Sequence, residues 1–385
     1  MTAQFIGYRR ANGRVDIRNV VAVLSAMDNT NPSVARIGAM VAGTTVPSTP
    51  FGRGQIGADF EVTRRTLAGV ADHPNVAAVL VLSLSLESGR ELAERVRRTD
   101  KPVEVLGLQE SGSAMAMTME GVRIAAEMVI AASELQREPF PISEITVGVE
   151  CGGSDATSGL ASNPAVGRFS DRLIDAGGTI ILSEPAEFMG TEHLLAARAE
   201  NPEDAKKIVD MVRWFEDEAK RNGVDMRGTN PTPDNIEGGL TTLEEKSLGA
   251  IAKGGTRPIA EVIDYSEVPG KKGLVVMNTP SAACESMTGL AAGWAQIIIF
   301  STGRGNAIGA PIAPTIKVTG NPITSRGMGE NIDVDVGAIL TEGEDLDVAV
   351  ARVWSKVLKV AGGMLTSCEV LGEEQLSVSR FGPSV

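Results

Sequence analysis

The chain has 385 residues, a formal charge of −13, 43% hydrophobic residues and 22% charged residues. The length suffices for two domains. The acidic balance argues against nucleic acid as a partner, because binding phosphates needs clustered Lys and Arg. The N-terminus has no apolar core of signal-peptide length, and the longest apolar runs are too short to span a bilayer, so we expect no membrane association.

Cysteine and histidine are scarce. Three widely spaced cysteines, Cys151, Cys284 and Cys368, form no disulfide framework, so we expect a cytoplasmic protein. Two histidines, His73 and His193, exclude a multi-histidine zinc site within one chain. A bound metal would therefore depend on carboxylates, water, substrate oxygens and one thiolate.

The first third of the sequence alternates buried strands with helices. Continuous apolar runs predict three strands: NVVAVLSA (19–26), NVAAVLVLSLS and PVEVLGL. Between them we expect a helix capped by Asn31 and ended by Gly43, then the helices ADFEVTRRTLAGVADH and ESGRELAERVRR, and after the third strand a long helix over 114–135.

The stretch QREPFPISE (136–144) predicts a domain boundary, after which the alternation restarts. Predicted strands there are ITVGVE, TIILSE, GLVVMNT, AQIIIFST and TIKVTG, and NGVDMRGTNPTPDNIEGGL is predicted to be a long polar loop. The sequence thus predicts an α/β protein of two three-layer domains, 1–138 and 139–385, with mostly parallel, Rossmann-like sheets. The second domain carries most of the active-site loops.

Three predicted strands of the second half end in small, polar, glycine-rich loops. These loops are Cys151-Gly-Gly-Ser-Asp155, Ser183-Glu184 and the stretch from Ser301 to Asn306. Because open α/β sheets bind ligands at the carboxyl ends of their strands, we expect the three loops to build one site.

Each loop also has a competing interpretation. TGRGNAIG has a superficial dinucleotide-binding pattern, but Pro311 and Pro314 prevent the long helix that such a site needs. Cys151 could be a small buried hydrophobe at a strand end. Glu192 and His193 could begin a helix, or, with Glu184 and Glu187, bind a divalent ion.

Seven segments in this order resemble the altronate/galactarate dehydratase family, in particular its large-subunit branch, which includes sulfolactate sulfo-lyase. They are GYRRANGRVDIRN, HPNVAAVLVL, ECGGSDATSGLASNPAVG, SEPAEFMGTEHLLAARA, GGLTTLEEKSLGAIAKGG, FSTGRGNAIGAPIAPTIKV and NIDVDVGAIL, from residue 7 to about 340. The resemblance implies a lyase that removes water or sulfite from a small hydroxy acid by β-elimination to give a 2-oxo acid. It also implies a divalent metal, Fe²⁺ in the first place, with Mn²⁺ or Mg²⁺ as alternatives.

Within that chemistry, a metal would chelate the carboxylate and acidify the neighbouring proton, and a base of near-neutral pKa would remove it. We expect Cys151, Glu184 and Glu187 near the metal, Asp155, His193 and Lys246 as acid–base catalysts, and Arg18, Asn19, Ser154, Thr302 and Arg304 as substrate-binding residues.

The sequence departs from the family pattern in two places. Sugar-acid dehydratases carry a His and a Cys near residue 50, where this chain reads TTVPSTPFGRGQIGADFE, with Ser48 or Thr49 at the expected histidine. Single-chain members also carry a small β-rich domain before GYRR. We therefore expect a separately encoded small subunit, and a homo-oligomer. A non-catalytic scaffold subunit and a nucleotide-dependent oxidoreductase are the rival hypotheses.

Overall fold

The computed structural model describes residues 3–52, 54–96, 100–382 and 384. Their strands are β1 (Gln4–Arg9), β2 (Val15–Asp16), β3 (Val20–Ser25), β4 (Thr44–Thr45), β5 (Val76–Ser83), β6 (Val103–Gly107), β7 (Glu138–Pro141), β8 (Thr146–Cys151), β9 (Thr179–Leu182), β10 (Ile259–Ile263), β11 (Gly273–Met277), β12 (Ile297–Thr302), β13 (Thr315–Thr319) and β14 (Val334–Asp335).

The α-helices are α1 (Asn31–Met40), α2 (Gly57–Asp72), α3 (Leu86–Val96), α4 (Leu108–Ser111), α5 (Ala114–Ser133), α6 (Asn163–Asp175), α7 (Glu192–Ala196), α8 (Pro202–Arg221), α9 (Met226–Thr229), α10 (Pro233–Glu237), α11 (Leu243–Ala252), α12 (Ala283–Ala292), α13 (Pro322–Gly327), α14 (Ala338–Thr341), α15 (Leu346–Ala361) and α16 (Ser367–Leu371). Among the described residues, no helix is long and apolar enough to cross a membrane.

Two parallel sheets form the framework of the molecule. The first has four strands in the order β4-β3-β5-β6, and the second has seven in the order β10-β11-β9-β8-β12-β13-β14. Their central strands are buried along almost their whole length, as the continuous apolar runs predict. The predicted α/β class with mostly parallel sheets is confirmed.

Three hydrophobic cores lie on the faces of these sheets. One lies between the first sheet and α1 and α5, and another between the second sheet and α6 and α15. The middle core is continuous from the first sheet through α2, α3 and α12 to the second sheet. At its centre α2 and α12 approach closely at Gly69, where a Cβ would lie only 2.4 Å from the Ala292 carbonyl oxygen. Glycine at this position therefore allows the contact.

A small antiparallel sheet, β2-β1-β7, joins the two units and was not predicted. Strand β7 spans the predicted boundary at 138/139 and pairs with β1 near the N-terminus. Two local predictions were wrong. Thr30, and not Asn31, is the cap position of α1, and the predicted polar loop after α8 contains the short helices α9 and α10.

Candidate active site

The order of strands in the second sheet marks one place for a ligand. The chain passes from β8 to β9 on one side, and β12 lies on the other side of β8. In open α/β sheets such a switch point leaves a crevice beyond the carboxyl ends of the strands. Cys151 at the end of β8 pairs with Ser301 on β12, so two of the predicted loops begin side by side.

Glycine makes the contact between these two loops. The Gly153 carbonyl oxygen accepts hydrogen bonds from the backbone N–H groups of Gly303 at 3.2 Å and Arg304 at 2.8 Å. A Cβ on Gly303 would lie 2.2 Å from the Asp155 carboxyl group, so no larger residue fits there without movement. The structure thus brings together the loops that the sequence predicted to converge.

Asp155 holds its own loop in place. Its Oδ1 accepts hydrogen bonds from Thr157 Oγ1 at 2.6 Å and from Ser158 N at 3.0 Å, and its Oδ2 accepts one from Asn321 Nδ2 at 2.8 Å. The π-helical turn Ser158–Ser162 follows directly, a feature that occurs often at functional sites. Oδ1 is therefore bonded within the loop and Oδ2 to the residue Asn321 after β13, and the predicted acid–base role of Asp155 stays a prediction.

The predicted substrate-binding residues of these loops lie at different depths. Ser154 is buried, and its carbonyl oxygen accepts a hydrogen bond from Asn235 Nδ2 at 3.0 Å. Thr302 is also buried and accepts one from the backbone of Gly305 at 3.0 Å. Arg304 is exposed, and its Nη1 donates to Glu237 Oε2 at 2.8 Å. Of the three, Arg304 is the one available to an incoming anion.

A buried cluster of ionisable groups lies behind the crevice, at the tips of β8 and β9. The predicted metal ligands Cys151, Glu184 and Glu187 are all in it, together with Glu150 and Lys253. The Lys253 ammonium donates to Cys151 Sγ at 3.1 Å and to Glu187 Oε2 at 2.9 Å, and the Cys151 thiol donates to the same Glu187 oxygen at 3.2 Å. Part of the Glu187 side chain, 12%, reaches the surface, whereas that of Lys253 is fully buried.

Glu184 has the most unusual environment in this cluster. Its backbone is left-handed, with φ of 61°, and its N–H donates to Thr279 Oγ1 at 2.9 Å. Such a conformation costs a residue other than glycine about 1–3 kcal/mol and is concentrated at functional sites. Its side chain is buried, and among the described residues its Oε1 has no hydrogen-bond partner. The fold therefore keeps a carboxyl group with a strained backbone and one unpaired oxygen at this strand end.

The surroundings of Glu184 and Glu187 shift the pKa values of these two glutamates in opposite directions. Burial, and the neighbouring Glu150 and Glu187, raise the pKa of Glu184 well above its ordinary value. Burial alone would also raise the pKa of Glu187, but the Lys253 ammonium reverses the effect and lowers it. The surroundings thus favour the protonated form of Glu184 and the ionised form of Glu187.

Sequence reasoning missed Glu150 and Lys253. Glu150 is fully buried on β8, and Ser183 and Ser286 donate their hydroxyls to its Oε2 at 2.7 and 2.6 Å. Lys253 follows α11 directly, seven residues after Lys246 and therefore on the same helical face. A lysine between a small apolar segment and two glycines, in GAIAKGG, was the available signal.

Arg18 and Asn19 have structural partners. Arg18 pairs with Glu369 through two hydrogen bonds of 2.7 and 2.9 Å, and the Asn19 amide donates to the Ala132 carbonyl oxygen. Nearby, the Val15 carbonyl accepts from Gln296, whose backbone N–H in turn bonds Thr146 at the start of β8. The segment thus approaches the opposite end of the strand from Cys151, and the hydrogen bonds of both side chains go to partners outside the cluster.

The two remaining predicted catalysts lie on helices that border the cluster. Lys246 on α11 donates to Asn230 Oδ1 at 2.9 Å, and its charge helps to lower the pKa of Glu187. His193 is exposed on α7, six residues after Glu187. The charge of Lys246 thus acts on Glu187, and the catalytic roles of Lys246 and His193 stay predictions.

The predicted metal ligands do not fit a metal ion as they stand. A thiol must lose its proton to bind a metal, and burial, together with Glu187, raises the pKa of Cys151 to about 12. The Lys253 ammonium already bonds both Cys151 and Glu187. Within the part of the chain that the structure describes, no group of three or more His, Cys, Asp or Glu side chains could hold a metal ion.

The fold and the site define an α/β enzyme with an acid–base cluster at the carboxyl edge of a parallel sheet. Residues 142–384 match the C-terminal domain described as D-galactarate/altronate dehydratase, and residues 7–133 match the second domain of D-galactarate dehydratase/altronate hydrolase. The chain belongs to the D-galactarate/altronate dehydratase family.

Named relatives agree with this membership. The chain is 41% identical to the (2R)-sulfolactate sulfo-lyase subunit beta of Chromohalobacter salexigens over 98% of this chain and 97% of the relative. It is 32% identical to altronate dehydratase of Bacillus subtilis over 98% of this chain and 78% of that protein, and 31% identical to that of Escherichia coli over 97% and 77%. These relatives are lyases by name, which supports a carbon–oxygen or carbon–sulfur lyase.

Proposed function

We propose that this chain is the large subunit of a lyase that catalyses β-elimination from a small hydroxy acid. A (2R)-sulfolactate-like sulfonated acid is the first candidate substrate, because similarity to the sulfo-lyase subunit extends over 97% of that protein. The observation that carries the proposal is the pair of Glu184 and Glu187, two neighbouring carboxyl groups whose pKa values the structure drives in opposite directions. Such separated pairs are typical of acid–base catalysis.

The proposed reaction assigns one step to each carboxyl group. Glu187, kept ionised by Lys253 and partly exposed, removes the proton from the carbon next to the substrate carboxylate. The electron pair of that C–H bond forms the C=C double bond, and the leaving group departs from the next carbon with its own bonding electrons. Glu184 supplies the proton that a departing hydroxide needs, whereas sulfite can leave without it. The resulting enol becomes the 2-oxo acid, and Arg304 at the crevice binds an anionic end of the substrate.

The subunit arrangement is part of the proposal. The sulfo-lyase relative, of which 97% aligns with this chain, is by name a subunit beta. That name supports a separately encoded small subunit as a partner of this chain too. Dependence on Fe²⁺, with Mn²⁺ or Mg²⁺ as alternatives, homo-oligomerisation and a cytoplasmic location also stay predictions, and the assay includes each metal.

The experiment measures 2-oxo acid release from (2R)-sulfolactate, altronate and galactarate under anaerobic conditions. It is run without metal and with Fe²⁺, Mn²⁺ or Mg²⁺, each with and without the small subunit. Glu187→Gln should lower kcat about 10²–10⁴-fold on every substrate while the protein remains folded, because the amide cannot accept the proton. Glu184→Gln should do the same on altronate or galactarate, where hydroxide leaves, and should have little effect on (2R)-sulfolactate. The exposed Glu200→Gln is the control and should retain full turnover. Full turnover in Glu187→Gln would refute the assignment, and no product in any arm would favour a non-catalytic scaffold subunit.

A further inference from the structure

The charge balance of the buried cluster requires an internal cation. Glu150 and Glu184 are fully or almost fully buried, and Glu187 and the Cys151 thiol lie against them. Several carboxyl groups cannot share a low-dielectric interior in ionised form without a partner of opposite charge. In metalloenzymes of comparable donor sets, a divalent metal supplies that charge.

We propose that Lys253 is the resident cation of this cluster and takes the place that a metal ion would occupy between Cys151 and Glu187. Its side chain is fully buried and its Nζ lies 3.1 Å from Cys151 Sγ and 2.9 Å from Glu187 Oε2. The two acceptor atoms are 3.2 Å apart, which is the separation of adjacent ligands on one ion with bonds of about 2.0–2.3 Å.

The backbone around Lys253 fixes it in this position. A Cβ on Gly167 would lie 1.9 Å from the Ala252 carbonyl oxygen, so α6 allows the end of α11 to approach unusually closely. The Lys253 carbonyl oxygen accepts a hydrogen bond from Ser170 Oγ at 2.8 Å, and a Cβ on Gly254 would lie 2.9 Å from the Leu182 side chain on β9. Lys253 is thus held against the strand ends by close packing.

Lys246 does not place its positive charge inside the buried cluster as Lys253 does. It lies on the same face of α11 but is half-buried, and its ammonium donates to Asn230 rather than to Cys151 or Glu187. The two lysines therefore differ in burial and partners while they share residue type and helix. Lys246→Met is for that reason the matched control for Lys253→Met.

The test uses cobalt(II) as a probe, because a cobalt–thiolate bond gives a near-ultraviolet charge-transfer absorption. Wild type and Cys151→Ser, each purified without metal, should give the same cobalt spectrum, because Lys253 already occupies the site. Lys253→Met should gain one equivalent of thiolate absorption, which the further change Cys151→Ser abolishes. Lys246→Met should behave as wild type. The readout is independent of turnover, so it stands apart from the proposed reaction.

Two results would overturn the proposal. One is a cobalt–thiolate absorption in wild type that disappears in Cys151→Ser, since the lysine would then not exclude a metal. The other is a folded Lys253→Met that binds no cobalt at Cys151. If Lys253→Met does not fold, Lys253→Arg, which keeps the positive charge, is used instead. Cobalt spectra of Lys253→Arg that are the same with and without Cys151→Ser support the proposal. A cobalt absorption of Lys253→Arg that depends on Cys151 contradicts it.

Discussion

Replacing Arg18 by Ala tests whether this residue binds substrate, as the sequence predicts, or holds the fold together, as its contacts indicate. Its guanidinium bonds both carboxylate oxygens of Glu369 and the carbonyl oxygens of Val360 and Met364. The side chains of the ion pair are only 9% and 14% exposed. Removing one partner of such a buried pair costs about 3–5 kcal/mol, because the remaining charge is left without compensation.

The assay is urea unfolding followed by tryptophan fluorescence, with KM measured in parallel. With an unfolding slope of about 3 kcal/mol/M, Arg18→Ala should lower the midpoint by about 1–1.7 M. Arg9→Ala is the matched control, because the Arg9–Glu138 pair has the same 2.7 Å distance but side chains that are 58% and 46% exposed. It should cost less than about 1 kcal/mol.

A double variant separates the ion pair from simple loss of packing. Arg18→Met with Glu369→Gln removes both charges and should recover most of the lost stability, since replacing a whole buried pair is often close to neutral. The structural assignment fails if Arg18→Ala leaves the urea midpoint unchanged and raises KM instead. That result would return Arg18 to the substrate-binding role that the sequence predicts.

Two further predictions concern the crevice and the pH dependence of stability. Gly303→Ala should lower kcat/KM about a hundredfold, because its Cβ would displace the Asp155 carboxyl group. Gly327→Ala is the control and should have no effect, because a Cβ at Gly327 would have no neighbouring atom within 4 Å. Equal activity of the two variants would contradict this account. Burial lowers the pKa of His73 from 6.5 to about 3, so below pH 6.5 the unfolded chain gains a proton that the folded chain does not, and stability falls toward pH 3. Between pH 3 and 6.5, His73→Gln should reduce the slope of unfolding free energy against pH by about 1.4 kcal/mol per pH unit. The free energies are measured by urea unfolding at a series of pH values, and equal slopes for wild type and variant would show that His73 does not cause this loss of stability.

The sheets were predictable because their signal is local. The apolar runs of β3, β5, β8 and β12 can be read directly from sequence, and parallel order follows from the intervening helices. Strand β1, whose buried and exposed residues only partly alternate, and the two-residue strand β2 carry no such signal. Their small sheet depends on β7, more than a hundred residues away, so only tertiary contact defines it.

The site was predictable to the extent that strand ends define it. Cys151 ends β8, and Glu184 and Glu187 follow β9, which lies beside β8 in the sheet. The sequence therefore sufficed to predict that these three residues lie in one site. Their partner Lys253 could not be found from the strand ends, because it comes from the end of helix α11. Only its small apolar and glycine neighbours in GAIAKGG indicate that it is buried. A metal was the natural hypothesis for one thiol and two carboxyl groups. The Lys253 ammonium lies 3.1 Å and 2.9 Å from two of those donors. Donor identity alone does not reveal such a neighbour, and the metal stays a prediction.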